Sequence, residues 1–129
     1  MPLSYVVHKD RQLVISTGSG RVTCAEIRAR QDEIESDPDF NPEFNQLVDL
    51  RAVTALDVSV GEFTTLARRQ VFSSKSRRAF VAVDPAIFGM GRLWEAHTEL
   101  SQDTSQIHVF YDLAPALEWL GKTFLGYFS

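Results

Sequence analysis

Four times along this chain of 129 residues, an apolar, β-rich run gives way within a short stretch to a side chain that caps helices. QLVIST at 12–17 leads to Thr23, with Glu26 three residues later, and QLVDL at 46–50 leads to Ser59, with Glu62 three residues later. AFVAV at 79–83 runs straight into Asp84 and Pro85, and IHVFY at 107–111 into Asp112. A Ser or Thr followed three positions on by Glu makes a capping box, in which each side chain satisfies an amide that the helix start leaves open. Asp before Pro starts a helix because proline has its φ preset and no amide to satisfy in the first turn. Strands and helices alternating at this spacing specify an α/β layer fold built on a parallel sheet. One further run, SYVVH at 4–8, is set off from QLVIST by Lys9, Asp10 and Arg11, a hairpin that puts an antiparallel strand at one edge. The expected architecture is ββαβαβαβα: a mostly parallel sheet with an antiparallel N-terminal edge hairpin and right-handed crossovers.

Element by element, the first helix is expected to run to about Ser36 with Ile27 and Ile34 on its buried stripe, after a turn at Gly18, Ser19 and Gly20. Pro38 and Pro42 prevent its continuation and make 37–42 a loop. A compact link joins Leu50 to Asp57, and Val60, Phe63, Leu66, Ala67 and Val71 mark the buried face of the second helix. AFVAV is almost wholly apolar, as befits a strand covered on both faces. Ile87, Met90, Leu93, Trp94 and His97 trace one face of the third helix. The last helix, APALEWL behind an Asp112 cap, stops at Gly121, where a left-handed residue is expected.

Hydrophobic residues form 44% and charged residues 23% of the sequence, enough to build one core, so residues 1–129 are expected to be a single domain and not a disordered chain. The net charge of −4 argues against a surface built for nucleic acid. A single cysteine, Cys24, excludes an intramolecular disulfide. The opening MPLSYVVHKD lacks a secretory pattern, and no apolar run approaches the roughly 20 residues of a membrane span, which makes a soluble cytoplasmic protein the expectation.

Three stretches resemble the STAS domains, and in particular their SpoIIAA-like branch. LVDLRAVTALDVSVGEFTTLA at 47–67 resembles the segment in which a strand ending in Asp-Leu passes through a Val-Thr turn to a helix start of Asp-Ser-Ser-Gly type. HVFYDLAPALEWLG at 108–121 resembles the closing strand and helix of the SpoIIAA-like branch, and GSGRVTCAEI at 18–27 resembles the family's first helix entry. The resemblance implies a regulatory or ligand-binding module; relatives include anti-sigma-factor antagonists switched by serine phosphorylation, and the branch is structurally similar to the CRAL-TRIO lipid-binding domains. In the phosphorylated antagonists the acceptor serine directly follows the aspartate. Here that position is Val58; Ser59 matches only the second position, and Val60 replaces the glycine after it.

In an open parallel sheet, ligands collect where strands end and helices begin. Arg51, Asp57 and Ser59 belong to that rim, with Arg51 a potential anion contact. Capping accounts for Thr23, Ser59, Asp84 and Asp112 without any ligand, and a phosphate on Ser59 would stand beside the like charges of Asp57 and Glu62. Gly89 and Gly91 each cost a helix on the order of 1 kcal/mol relative to alanine, so a close neighbour or a ligand should compensate. With Phe88, Met90 and Trp94 they could wall an apolar pocket, although a Met and aromatic stripe is more commonly plain core. His8, His97 and His108 offer no metal-ligand spacing, and Gly18-Ser19-Gly20 lacks the rest of a phosphate-binding loop. Cys24, with no resolving partner or base, suits a small buried thiol. An acidic run from Asp32 to Glu43 and a basic run from Arg68 to Arg78 are candidate docking patches, for a partner or for one another, or simply solvated surface. The sequence thus points to a non-catalytic regulatory protein-interaction module without cofactor or metal, or else to a small carrier or sensor of a hydrophobic or anionic, lipid-like ligand.

Overall fold

The computed structural model describes residues 2–100 and 106–121. Its elements follow the expected order: β1 (Leu3–His8), β2 (Leu13–Thr23), α1 (Cys24–Ser36), β3 (Asn45–Asp57), α2 (Val60–Arg68), β4 (Arg77–Val81), α3 (Pro85–Leu100), β5 (Gln106–Phe110) and α4 (Leu113–Trp119), with a 3-10 turn at Lys9–Arg11 closing the hairpin. The five strands lie side by side in sequence order, β1 antiparallel to β2 and every later pair parallel.

Local chemistry places the helix starts as expected. Thr23 Oγ1 accepts from the Glu26 amide while Glu26 reaches back to the Thr23 amide, and Ser59 and Glu62 repeat the box. Asp84 Oδ1 accepts from the amides of Ala86 and Ile87 at 2.9 and 3.3 Å. Asp112 holds the N-cap position of α4 but makes no side-chain capping bond, so the cap expected there is positional only. Gly121 has the expected left-handed backbone, φ 80°.

β2 and β3 are both longer than the sequence suggested. Gly18, Ser19 and Gly20 do not break the chain; they lie within β2, where two register shifts, between Thr17 and Ser19 and between Gly20 and Arg21, let pairing with β3 continue to Thr23 opposite Asp57. Gly20 takes the positive φ of 63° that such an irregularity demands. The stretch after Leu50, expected as a compact link, is therefore strand. β4 stops with Val81 opposite Asp49, so β2 and β3 run on beyond it as a twisted ribbon.

The sheet is covered unequally. α4 packs on one face over Leu13, Leu47, Ala79 and Val81. The other face carries α1, α2 and α3, with Val22, Val48, Leu50, Phe80 and Ile87 in one cluster and Val14, Ile34, Phe44 and Phe72 in another. Two helix faces differ from expectation. Val60 is 85% exposed and Leu93 57% exposed, and α2 ends at Arg68, which leaves Val71 buried in the following loop and not on the helix. The side chains of Ala67 and His97 lie outside the described residues. The oppositely charged runs meet each other: Arg69 bridges Asp32 at 2.6 Å and Glu35 at 3.4 Å, and Lys75 faces Glu43 at 3.5 Å. No described helix is long and apolar enough to cross a membrane.

Candidate functional site

Between the helix-covered face of the sheet and α2 lies a cavity of about 110 Å³. α2 rests against α1 on one side and α3 on the other. The three helices contribute Ile27 and Gln31, Phe63 and Leu66, and Met90 and Trp94, while the sheet supplies Val48, Leu50 and Phe80. Phe63 meets Trp94 edge-on with ring centroids 5.3 Å apart, and Phe80 leans on Trp94 at 5.9 Å, so one wall is aromatic. The lining is not sealed: Val58, Phe63, Met90 and Trp94 are all partly exposed.

One end of the floor is polar. Gln46 on β3 and Arg78 on β4 are register partners, and Arg78 Nε donates to Gln46 Oε1 at 3.0 Å. Gln46 Nε2 in turn donates to Ser16 Oγ on β2 at 3.1 Å. Ser16 and Gln46 are 6% and 5% exposed, so this relay is buried among apolar neighbours. The Arg78 guanidinium also lies over the rings of Phe72 and Phe80, at 4.8 and 5.9 Å. Across from the floor, α1 presents Arg30, bonded to the Leu3 carbonyl and to Glu33, and Gln31, whose buried Oε1 has no hydrogen-bond partner among the described residues.

The sequence-derived candidates divide accordingly. Gly91 and Trp94 line the cavity. Phe88 does not; it stacks on Tyr111 with centroids 3.8 Å apart, outside the cavity lining. Gly89 faces open space, with nothing within 4 Å of a Cβ built there, whereas the same construction at Gly91 meets Val109 Cγ2 at 2.8 Å. Close helix-to-strand approach thus accounts for Gly91, and packing gives no account of Gly89. Arg51 is held by Asp49, with Nε and Nη2 donating at 2.9 and 2.8 Å, Asp57 is ion-paired with Arg21, and Ser59 is engaged in its capping box. Those three stand at the rim and not around the cavity.

Several interacting groups escaped the sequence reading. Ser16, Gln46 and Arg78 each interrupt an apolar strand at an inward position, a signal visible in the sequence once the inward face is known. Glu95 is 6% exposed on α3 and joins His108 on β5 through Oε1 to Nδ1 at 2.6 Å, with Arg92 on its other oxygen at 2.9 Å. Cys24 is buried beside Glu62, and burial, reinforced by that carboxylate, pushes its thiol up, against an activated thiolate. No group of three or more His, Cys, Asp or Glu among the described residues forms a metal-binding cluster.

No family model and no curated protein matches the sequence. Solved structures do match. An uncharacterised protein of the DUF3478 family from Shewanella loihica PV-4, with a SpoIIAA-like fold, superposes with a TM-score of 0.61 at 16% identity over 92% of this chain and 93% of its own. An anti-sigma factor antagonist from Mycobacterium paratuberculosis gives 0.57 at 20% identity, covering 93% and 95%. SpoIIAA in its unphosphorylated form gives 0.54 at 9% identity, covering 92% and 97%. The chain has the SpoIIAA-like form of the STAS fold, as its three resembling stretches implied.

Proposed function

We propose that this chain is a non-catalytic regulatory module in which a small molecule held beneath α2, instead of a phosphate on the rim, governs contact with a protein partner. One observation carries the reading: Val58, at the position where the phosphorylated antagonists resembled by this sequence have their acceptor serine, is apolar and lines the cavity. Ser59 beside it is occupied as a helix cap, and a phosphate there would sit next to Asp57 and Glu62. Two of the neighbouring folds are anti-sigma factor antagonists, which supports a protein partner. Exposed apolar side chains near the rim, Val60 at 85% and Tyr111 and Val83 at 53% and 52%, are suited to receive one. The titratable side chains on the cavity wall are Arg30 and Arg78, both already engaged, and neither forms a nucleophile-and-base pair there.

Native mass spectrometry of the protein purified from its own organism tests this. A reproducibly bound small molecule is the expected result. An unliganded chain bearing phosphate on Ser59 would overturn the reading in favour of a phosphoswitch.

A further inference from the structure

Resting on the ligand-binding reading above, we propose that the cavity selects a single-ring aromatic molecule bearing a neutral hydroxyl, a ligand of the phenol class. Size sets the first limit. A closed apolar cavity of roughly 150 Å³ takes up benzene, and this one, about 110 Å³ and not sealed, has room for one ring and not for a long acyl chain. The wall sets the second: Phe63, Phe80 and Trp94 already pack edge-on or tilted against one another, the arrangement that also receives the edge or face of an added ring.

The head group follows from donor and acceptor accounting. Gln46 spends its carbonyl on Arg78 and its amide on Ser16. Ser16 Oγ accepts that bond, and its own O–H has no acceptor among the described residues. Gln31 Oε1 is a buried acceptor with no donor among the described residues. Both groups line the cavity, Ser16 from β2 and Gln31 from α1, which packs against that strand. A hydroxyl can accept from Ser16 and donate to Gln31 at once. A hydrocarbon leaves both unsatisfied. A carboxylate has no proton to give to Gln31 Oε1, and the two cations on this wall already answer to other groups, Arg30 to Glu33 and the Leu3 carbonyl and Arg78 to Gln46.

The test titrates the full chain with phenol, toluene and benzoate, following backbone amide shifts by NMR, and repeats the titrations with Gln31→Met. Phenol is expected to bind at least about tenfold tighter than toluene, and Gln31→Met to remove most of that preference without weakening toluene. Thermal unfolding of the variant verifies that it is folded; should it not be, Ser16→Ala replaces it with the same expectation. Equal binding of phenol and toluene, tighter binding of benzoate, or a preference that survives the substitution would overturn the head-group assignment while leaving a ligand-binding cavity in place. Failure of all three probes to bind would overturn the assignment and count against the ligand-binding reading as well.

Discussion

Asp49 shows how a charge is kept inside a strand. Its side chain is 10% exposed in the middle of β3, and burial alone would raise its pKa. Arg51, two residues on and therefore on the same face of the strand, answers with two side-chain hydrogen bonds and its backbone amide, and the net result holds the carboxyl below its usual range. A folded-state pKa below the unfolded value means that this interaction stabilises fully above the unfolded pKa and is lost as pH falls through the folded one. Arg51→Ala should therefore cost about 1–3 kcal/mol at neutral pH, the worth of hydrogen bonds to a charged group. Urea denaturation of both proteins should show the difference shrinking as the solution is acidified through and below the ordinary carboxylate range. A cost independent of pH would mean that Arg51 acts through packing. The same pairing explains why Arg51, which looked in sequence like an anion contact at the rim, is committed to its own strand.

Helix α3 combines two opposite uses of glycine. Gly91 lies against Val109, so a methyl group there would press on a β-branched side chain anchored in β5, and the Glu95–His108 bond one turn later holds helix and strand at that separation. Gly91→Ala should destabilise by about 1–3 kcal/mol through overpacking. Gly89→Ala meets nothing and should stabilise by about 0.5–1 kcal/mol, the ordinary gain of replacing a helical glycine. Thermal or denaturant unfolding of the two variants separates them by sign; a stabilised Gly91→Ala would show that the helix can back away from β5. The sequence made both glycines conspicuous but could not tell them apart, because what distinguishes them is a strand that follows α3 in the chain. A similar limit applied to β2 and β3. Capping boxes are local, so Thr23 and Ser59 located two helix starts, and the order of the elements was legible from such punctuation. Gly18 and Gly20 looked like a turn because a bulge that keeps pairing with a distant strand uses the same residues as one that ends it. Beyond Leu50, β3 exposes most of its residues and loses the alternation that marks a half-buried strand. The cavity was least legible of all: Trp94 and Gly91 suggested it, but its polar floor comes from three strands and its unsatisfied acceptor from α1.

At the scale of the whole molecule, the helix-covered face is not uniformly filled. α1 and α3 pack on the sheet, whereas α2 bridges them with the cavity beneath it. What secures α2 is mostly at its margins. Ser59 caps its start, Arg69 ties its end to Asp32 and Glu35 of α1, and among its described side chains Phe63 and Leu66 line the cavity. Ion pairs with the exposure of these carboxylates contribute little, about 0–1 kcal/mol each. Lifting α2 therefore exposes far less apolar surface than unfolding the sheet, and the helix forms a separate unit of opening. Native-state hydrogen exchange across a series of low urea concentrations should show this. Amides from Phe63 to Arg68 should exchange through an opening of low free energy and weak urea dependence, while those of Leu47–Leu50 and Ala79–Val81 follow global unfolding. A ligand that occupies the cavity contacts α2 and sheet together, so it should slow exchange in α2 first and most, by the linkage between binding and opening. Equal protection of α2 and the central strands, with the same urea dependence, would show instead that the helix is an inseparable part of the core and that a ligand must enter by another route.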